Sequence, residues 1–271
     1  MAGTWTEIAD RVFVGRYRFL DQNIVAVLGR ETALVVDTRT TPRQARELLD
    51  DLRELGAPPV GIVVNTHGHY DHAFGNSLFR PAVIWGHDRC ATMIRETGER
   101  QRVKTAAATP ELADDLAAVV LDPPDRTFAR QAMIELEERP IELTYLGRGH
   151  TDNDIVLRVP DADVLCAGDL IENGAPPYFG DGFPLDWPAT IRAMAQLVGP
   201  RTRVVPGHGD PAGQAFVADS LADIEAIVAL GQRVDAGDLR LEDAIEVAPY
   251  PVQAAREPLE RTLAQLGGEV A

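Results

Sequence analysis

The stretch that decides the fold occupies residues 65–72 and reads Asn-Thr-His-Gly-His-Tyr-Asp-His, directly after an apolar run at residues 61–64. It places three imidazoles and one carboxylate within six residues. Neutral histidine nitrogen and aspartate oxygen are the ligands that borderline cations such as zinc bind. The composition of this stretch therefore predicts a metal site.

The spacing within the stretch suggests how its ligands are shared. In extended backbone, side chains two positions apart point the same way, so His67 and His69 can converge on one ion. Asp71 and His72 are adjacent and cannot share that direction without a bend. The simplest arrangement gives the first pair to one ion and the second pair to a neighbouring ion.

Three further candidate ligands lie downstream in glycine-containing turns: His150, Asp169 and His208. Asp169 and His208 each follow an apolar run that is typical of a strand. Seven ligands are too many for one tetrahedral ion, but they suit two ions with three ligands each and one shared carboxylate. Such sites leave coordination positions for water, which is typical of catalytic metal sites, whereas a structural zinc is closed by four protein ligands.

The motif H-x-H-x-D-H, followed by single His, Asp and His in that order, resembles the metallo-β-lactamase superfamily of metal-dependent hydrolases. The resemblance covers about residues 12–208, and five of the six histidines fall on its positions. It implies an α/β fold, a four-layer αβ/βα sandwich whose metals lie along one edge where two similar halves meet. It implies two ligand sets and a bridge: His67, His69 and His150 for one metal, Asp71, His72 and His208 for the second, and Asp169 between them.

The resemblance also implies the chemistry. Two divalent ions, most simply zinc, with iron or manganese as alternatives, would provide a hydroxide that attacks the acyl bond of an ester, thioester, lactone or lactam. Asp71 is the expected catalytic residue, because its second oxygen could orient the proton of the nucleophile. One group of secreted lactamases carries cysteine at the position of Asp169, whereas thioester hydrolases and lactonases carry aspartate. The aspartate here favours the latter branch.

A competing function is oxidative. Some members of the superfamily use one iron, held at the positions of His67, His150 and Asp169, to react sulfur substrates with oxygen. The sequence leaves this non-heme iron dioxygenase as the alternative to a hydrolase.

The segment at residues 174–187 contains four aromatic residues among glycines and prolines, shortly after Asp169. We expect Tyr178 and Phe179 to line an apolar substrate wall, with the Tyr178 hydroxyl available to an oxyanion. The alternative is that these aromatic side chains form a small core beneath the loop.

Alternating strand and helix patterns predict an α/β layered domain. A helix is expected from the capping Thr41 and Pro42 to Gly56, and residues 88–122 are expected to be helical. We place a metallo-β-lactamase-like domain at residues 1–210 and a helical C-terminal extension at residues 211–271. The extension is expected to pack on the same domain or on a second subunit, so a homodimer is one assembly to consider.

Composition bounds the partners. The 271 residues include 26 Lys and Arg against 42 Asp and Glu, a formal net charge of −16. This balance argues against nucleic acid or an anionic membrane as a partner, because phosphate binding depends on cationic side chains. A small-molecule substrate is expected instead. The N-terminal residues lack the basic and apolar segments of an export signal, and no stretch approaches a membrane span, so a cytoplasmic location is expected.

The two cysteines, the sixth histidine and Asp37 are of residue types that can bind metals or form cross-links, so their roles are considered separately. A disulfide between the two cysteines, Cys90 and Cys166, is left open. His87 is expected to be a structural histidine and not a metal ligand. Asp37, at the end of a predicted strand, is expected to lie behind the ligands or at a helix N-terminus.

Overall fold

Residues 3–268 are described by a computed structural model and form two β-sheets with helices on their outer faces. Met1, Ala2 and residues 269–271, which belong to the predicted domain and extension, lie outside the described residues. The first sheet has seven strands in the order β1 to β7: Thr4–Ala9, Val12–Tyr17, Gln22–Leu28, Ala33–Val36, Val60–Val64, Val83–His87 and Arg126–Phe128. The second sheet has the order β12-β11-β10-β9-β8, and in chain order its strands are Gln131–Leu136, Arg139–Tyr145, Ile155–Val159, Val164–Gly168 and Arg203–Pro206.

Eight α-helices connect and cover these strands within residues 3–268. In chain order, α1 to α8 are Pro42–Glu54, Tyr70–Ala73, Asp88–Ala108, Ala113–Ala117, Trp187–Ala195, Gln214–Asp235, Leu241–Val247 and Val252–Leu266.

The two sheets pack face to face, and the alternation of side chains along each strand decides which core each residue joins. On β3, Val25 and Val27 lie between the sheets with Leu157 of the second sheet, whereas Ile24 and Ala26 point to the opposite face. Period-two alternation of this kind is what a strand with two apolar faces requires. Both faces of the first sheet are therefore buried.

Helix α1 covers the outer face of the first sheet. Thr41 caps its N-terminus by accepting a hydrogen bond from the Gln44 N–H, and Pro42 occupies the first turn, where a missing N–H costs nothing. Leu48 and Leu52 of α1 pack into the cluster on this face. The predicted helix and its capping residue are confirmed.

The C-terminal helices cover the outer face of the second sheet. Leu165 and Val204 of that sheet share one buried cluster with Ile191 of α5, Ile224 of α6 and Leu259 of α8. With α1 on the other side, the layers read helix, sheet, sheet, helix, so the predicted four-layer sandwich is confirmed. The division into a domain at residues 1–210 and an extension at 211–271 stays a prediction.

Several local predictions differ from the structure. Strands β1 and β7 at the two edges of the first sheet were not predicted, because edge residues are largely exposed and carry little hydrophobic pattern. The single helix predicted over residues 88–122 is two helices, α3 up to Ala108 and α4 at Ala113–Ala117, with Pro110 between them, and residues 118–122 are not helical. Cys90 and Cys166 are buried free thiols in separate clusters, so they form no disulfide.

The topology brings the carboxyl ends of several strands to one edge of the sandwich. Strands β4 and β5 are parallel in the first sheet, and β11 and β12 are parallel in the second. Residues 65–69 follow β5, Asp169 follows β11, and His208 follows β12. Loops at the carboxyl ends of strands are where α/β proteins place their sites. No helix among residues 3–268 is long and apolar enough to cross a membrane.

Candidate metal centre

All seven predicted ligands meet at this edge. In the first set, the Nδ1 atom of His69 lies 3.0 Å from the Nε2 atom of His67 and 2.8 Å from the Nε2 atom of His150. We call these three residues the three-histidine set. Three ring nitrogens therefore converge from two loops that are about eighty positions apart in the chain.

The second set consists of Asp71, His72 and His208. The two Nε2 atoms of His72 and His208 are 3.3 Å apart, and the Asp71 Oδ2 atom lies 3.4 Å from each of them. We call these residues the mixed set, since they combine two nitrogens with one oxygen.

Asp169 joins the two sets. Its Oδ2 atom lies 3.3 Å from Nε2 of both His72 and His208, 3.5 Å from Nε2 of His150 and 3.7 Å from Nε2 of His67. One carboxylate oxygen is thus equidistant, within 0.4 Å, from nitrogens of both sets. This is the position of a bridging ligand.

The donor atoms fit the metals that the sequence implies. Tetrahedral zinc–nitrogen bonds of about 2.0–2.1 Å set neighbouring ligand atoms roughly 3.3–3.4 Å apart. The separations in the mixed set match this value, and those of 2.8 and 3.0 Å in the three-histidine set are shorter. The second oxygen of Asp169, Oδ1, is buried without a hydrogen-bond partner among the described residues. A buried, unpaired carboxylate oxygen is costly unless a cation or donor satisfies it. The arrangement therefore suits cations better than an empty polar core.

A short helix supplies the bend that the spacing of residues 69–72 requires. His69 has extended backbone and precedes α2, whose first turn carries Asp71 and His72. The turn sends these two side chains to the mixed set while His69 stays in the three-histidine set. Behind the helix, the side-chain amide of Gln22 donates a hydrogen bond to the backbone carbonyl of Asp71.

The outer nitrogen of each ligand histidine faces an oxygen acceptor, which selects the tautomer. These contacts are His67 Nδ1 with Thr66 Oγ1 at 3.1 Å, His69 Nε2 with Asp181 Oδ2 at 3.0 Å, His72 Nδ1 with Asp37 Oδ2 at 2.8 Å, His150 Nδ1 with the Tyr178 carbonyl at 3.0 Å and His208 Nδ1 with the Leu20 carbonyl at 2.8 Å. Because the outer nitrogen donates, the inner nitrogen carries a lone pair. Every ligand ring is thereby fixed for metal binding.

Two of these acceptors are the carboxylates of Asp37 and Asp181. Asp37 lies behind the ligands as one of the expected alternatives: its carboxylate accepts from the His72 ring and from both the N–H and the hydroxyl of Thr66. Asp181 was missed, because only the folded loop brings it to His69. Burial opposes protonation of His69, but Asp181 outweighs it and raises the pKa of His69.

The loop between β2 and β3 holds the loop that carries His208. Besides the Leu20 carbonyl, Asn23 contributes its side-chain N–H groups to the carbonyls of Pro206, at 3.0 Å, and Gly209, at 2.7 Å. The Asn23 backbone N–H donates to the Gly207 carbonyl at 2.8 Å. The hairpin formed by β2 and β3 therefore fixes the position of one candidate ligand, His208.

The two predicted substrate-binding residues have different surroundings. Tyr178 is 40% exposed, and its ring centroid lies 6.2 Å from those of both His69 and His150. Phe179 is fully buried, and its ring packs on Trp187 at 4.9 Å. The prediction that Phe179 lines a substrate wall is therefore wrong, because its ring belongs to the core beneath the loop. The predicted role of Tyr178 in substrate binding stays a prediction.

One further carboxylate lies beside the candidate ligands. The Glu172 carboxylate is within 4.8 Å of ligand atoms of His150 and Asp169, and no motif in the sequence indicated it.

The sixth histidine, His87, is structural, as expected. Its ring stacks on that of Tyr145 at 4.2 Å, and its Nε2 atom is 3.0 Å from the Ala129 carbonyl.

The two sets hold protons differently. Burial lowers the pKa of His67 well below its ordinary value and lowers the pKa of His150 to about 4. Burial acts in the same direction at His72 and His208, but nearby carboxylates, Asp169 foremost, outweigh it and raise the pKa of both rings. The mixed set therefore competes for protons more strongly than two members of the three-histidine set.

Comparisons with known proteins agree with this geometry. The family model of the metallo-beta-lactamase superfamily matches residues 17–208. The chain is 22% identical over 223 residues to a metallo-beta-lactamase type 2 of Bacteroides fragilis, covering 78% of this chain and 81% of the relative. It is 24% identical over 201 residues to a metallo-beta-lactamase type 2 of Bacillus cereus, covering 72% of this chain and 70% of that relative.

Solved structures show the same fold. A metallo-beta-lactamase from Pontibacter korlensis superposes with a TM-score of 0.65 at 22% identity, covering 82% of this chain and 99% of that one. The metallo-beta-lactamase FIM-1 from Pseudomonas aeruginosa, in a mono-zinc form, gives a TM-score of 0.66 at 19% identity, covering 83% and 96%.

A four-layer sandwich with paired histidine and aspartate donors at one edge defines a metal-dependent hydrolase. The chain belongs to the metallo-beta-lactamase superfamily, whose family model spans the sandwich from β2 to His208.

We predict that Gly207→Ala displaces the bridge. A Cβ atom at Gly207 would overlap the Oδ1 atom of Asp169, so the carboxylate must move away from both sets. Metal content, measured by elemental analysis, should fall from the wild-type level toward half or less, with a parallel loss of activity. The matched control is Gly213→Ala, because a Cβ atom there meets nothing within 4 Å. Full metal content in Gly207→Ala would contradict the bridging role of Asp169.

We also predict the order in which acid removes the metals. Protons compete with metal for a ligand in proportion to its basicity, so the mixed set, with raised pKa values at His72 and His208, should release its ion first as the pH falls. The three-histidine set should keep its ion longer, because the pKa is raised at only one of its rings, His69, while it is lowered at His67 and is about 4 at His150. Elemental analysis after dialysis, from about pH 8 down to about pH 4, should show two steps.

A variant assigns the two steps. His208→Ala removes a ligand of the mixed set only, so its remaining ion should leave at the pH of the second wild-type step. Release of both wild-type ions in one step, or a remaining ion that leaves at the pH of the first step, would show that the order is wrong.

Proposed function

We propose that this protein hydrolyses an acyl bond, in an ester, thioester, lactone or lactam, with two divalent metal ions, zinc being the first candidate. The three-histidine set would hold one ion, the mixed set the other, and Asp169 would bridge them. The position of the Asp169 Oδ2 atom, 3.3–3.7 Å from nitrogens of both sets, is the observation that supports this proposal most strongly.

The bound ions would supply Lewis acidity, which acidifies water and polarises an acyl carbonyl. The protein contributes orientation. Asp71 directs its Oδ2 atom toward His72 and His208, which leaves Oδ1 to hold the proton of an attacking water molecule. The backbone of Asp71 is fixed by Gln22, so this carboxylate is preorganised for that role.

The choice among acyl bonds rests on the bridging residue. The relatives in Bacteroides fragilis and Bacillus cereus are named as beta-lactamases. Aspartate at position 169 resembles the thioester hydrolases and lactonases of the superfamily more than the secreted lactamases that carry cysteine. We therefore propose an ester, thioester or lactone as the main substrate, with slow β-lactam hydrolysis as a side activity.

The acidic composition supports a small-molecule substrate in preference to nucleic acid or an anionic membrane. A homodimer stays a proposal, to be checked by light scattering.

We predict that Asp71→Asn lowers kcat by about 10²–10⁴-fold, because an amide cannot accept the proton of the nucleophile. The amide oxygen can still face a metal ion, so elemental analysis of the same sample must accompany the kinetics. The control is Asp114→Asn, which makes the same change at an exposed position on α4. An unchanged kcat in Asp71→Asn with full metal content would remove Asp71 from the mechanism.

The competing dioxygenase is separated by metal content and oxygen consumption. His67 and His150 with Asp169 form a two-histidine, one-carboxylate group of the kind that binds non-heme iron. We expect protein purified without added metal to contain close to two ions per chain, to hydrolyse members of a panel of lactones, thioesters and esters, and to consume no oxygen with thiol substrates. One iron per chain together with oxygen uptake would establish the dioxygenase.

A further inference from the structure

A cavity of about 300 Å³ lies beside the metal centre, between the loop at residues 170–177 and the C-terminal helices. Its walls are largely apolar and include Leu170, Ile224 of α6, and the rings of Phe216 and Tyr250. Phe216 and Tyr250 lie beyond residue 208, where the match to the family model ends. The C-terminal extension therefore builds part of this cavity.

The polar side chains that line the cavity are mostly acidic. Glu172, Asp219 and Asp223 line it, and no lysine, arginine or histidine among the described residues does. None of these three carboxylates forms an ion pair within residues 3–268, although most arginines of the chain do pair with acids. Asp219 and Asp223 lie four positions apart on α6, where like charges oppose each other and destabilise the helix. The placement of Asp219 and Asp223 on one side of α6 therefore lowers the stability of that helix.

Glu172 connects the cavity to the metal centre. It lines the cavity, and its carboxylate lies within 4.8 Å of ligand atoms of His150 and Asp169. The Tyr178 N–H donates to its Oε1 atom at 3.2 Å and holds the side chain between the two spaces. A molecule in the cavity that contacts Glu172 would therefore lie one side chain away from the candidate metal ligands.

The positions of Asp219 and Asp223 favour a cation. Burial and the neighbouring Asp219 raise the pKa of Asp223, which shows that the two carboxylates repel each other. A cation in the cavity would reduce this repulsion, whereas an anion would add to it.

We propose that this cavity binds an alkylammonium group of the substrate, with the acids supplying the charge and the aromatic rings of Phe216 and Tyr250 supplying the apolar contact. Quaternary ammonium groups bind where carboxylates and aromatic faces occur together. As a statement about substrate class, the inference rests on the proposed hydrolase function. As a statement about binding, it is independent of that function.

The binding test uses two soluble probes of one shape on the purified, metal-containing protein: choline and its neutral analogue 3,3-dimethylbutanol. Both carry the same hydroxyl, and choline has no basic nitrogen lone pair, so metal coordination does not favour either probe. We expect calorimetry to give choline an affinity at least about tenfold higher than the neutral probe.

Variants locate the site. Asp223→Asn should weaken choline binding roughly three- to tenfold, because it removes one half-buried charge. Ser220→Phe should block binding, since Ser220 lines the cavity and a ring there would fill it. The matched control is Asp235→Asn, an exposed acid on the same helix outside the cavity, which should bind choline as the wild type does.

Equal affinity for choline and 3,3-dimethylbutanol, or wild-type choline binding in both Asp223→Asn and Ser220→Phe, would overturn the proposal. Turnover separates it from the hydrolase function. Acetylcholine and 3,3-dimethylbutyl acetate differ only in charge, and we expect kcat/KM to favour the former in wild type and to lose that preference in Asp223→Asn. Specific choline binding with neither ester hydrolysed would support the cavity while counting against acyl hydrolysis. Hydrolysis of both esters at equal rates without choline binding would support acyl hydrolysis and count against the cavity as an alkylammonium site.

Discussion

The structure depends on one buried constraint: five imidazoles and two carboxylates point their lone pairs at a common space. Lone pairs and negative charges held 3–4 Å apart in a buried region repel each other unless cations lie between them. The fold compensates from outside, by giving the outer nitrogen of each ring an oxygen acceptor. The protein therefore holds the candidate ligands in their binding orientation.

That constraint explains why both sheets are needed. The three-histidine set takes two ligands from the loop after β5 and one from the loop between β9 and β10, while Asp169 and His208 come from β11 and β12. Neither half of the sandwich holds a complete set. The apolar interface between the sheets, with Val25 and Val27 facing Leu157, is what keeps the two groups of ligands in register. The packing of the core therefore determines the geometry of the metal centre.

The convergence of the seven candidate ligands could be predicted because their chemistry is local: residue types, glycine turns and short spacings all lie within a few positions of each candidate. Asp37 could be placed behind them because it ends a strand, whereas Asp181 and Glu172 could not be placed. Asp181 reaches His69 from 112 positions away, and Glu172 reaches the centre only through the fold of its loop. Phe179 illustrates the same limit, because an aromatic residue in a loop gives no sign of which way its ring will turn. Strands β1 and β7 were missed for a different reason, since edges carry little hydrophobic pattern.

The C-terminal helices pack on the outer face of the second sheet, and this position allows them both to cover the sheet and to line the cavity. They cover Leu165 and Val204, so the outer face of the second sheet is shielded from water, as a sheet with two apolar faces requires. The same packing carries Phe216 and Asp223 to the side of the loop that follows Asp169. A segment that stabilises the sandwich can therefore also shape the space beside the metals. Because the ligands are set by the sandwich, changes in these helices would alter which molecules fit without altering the reaction.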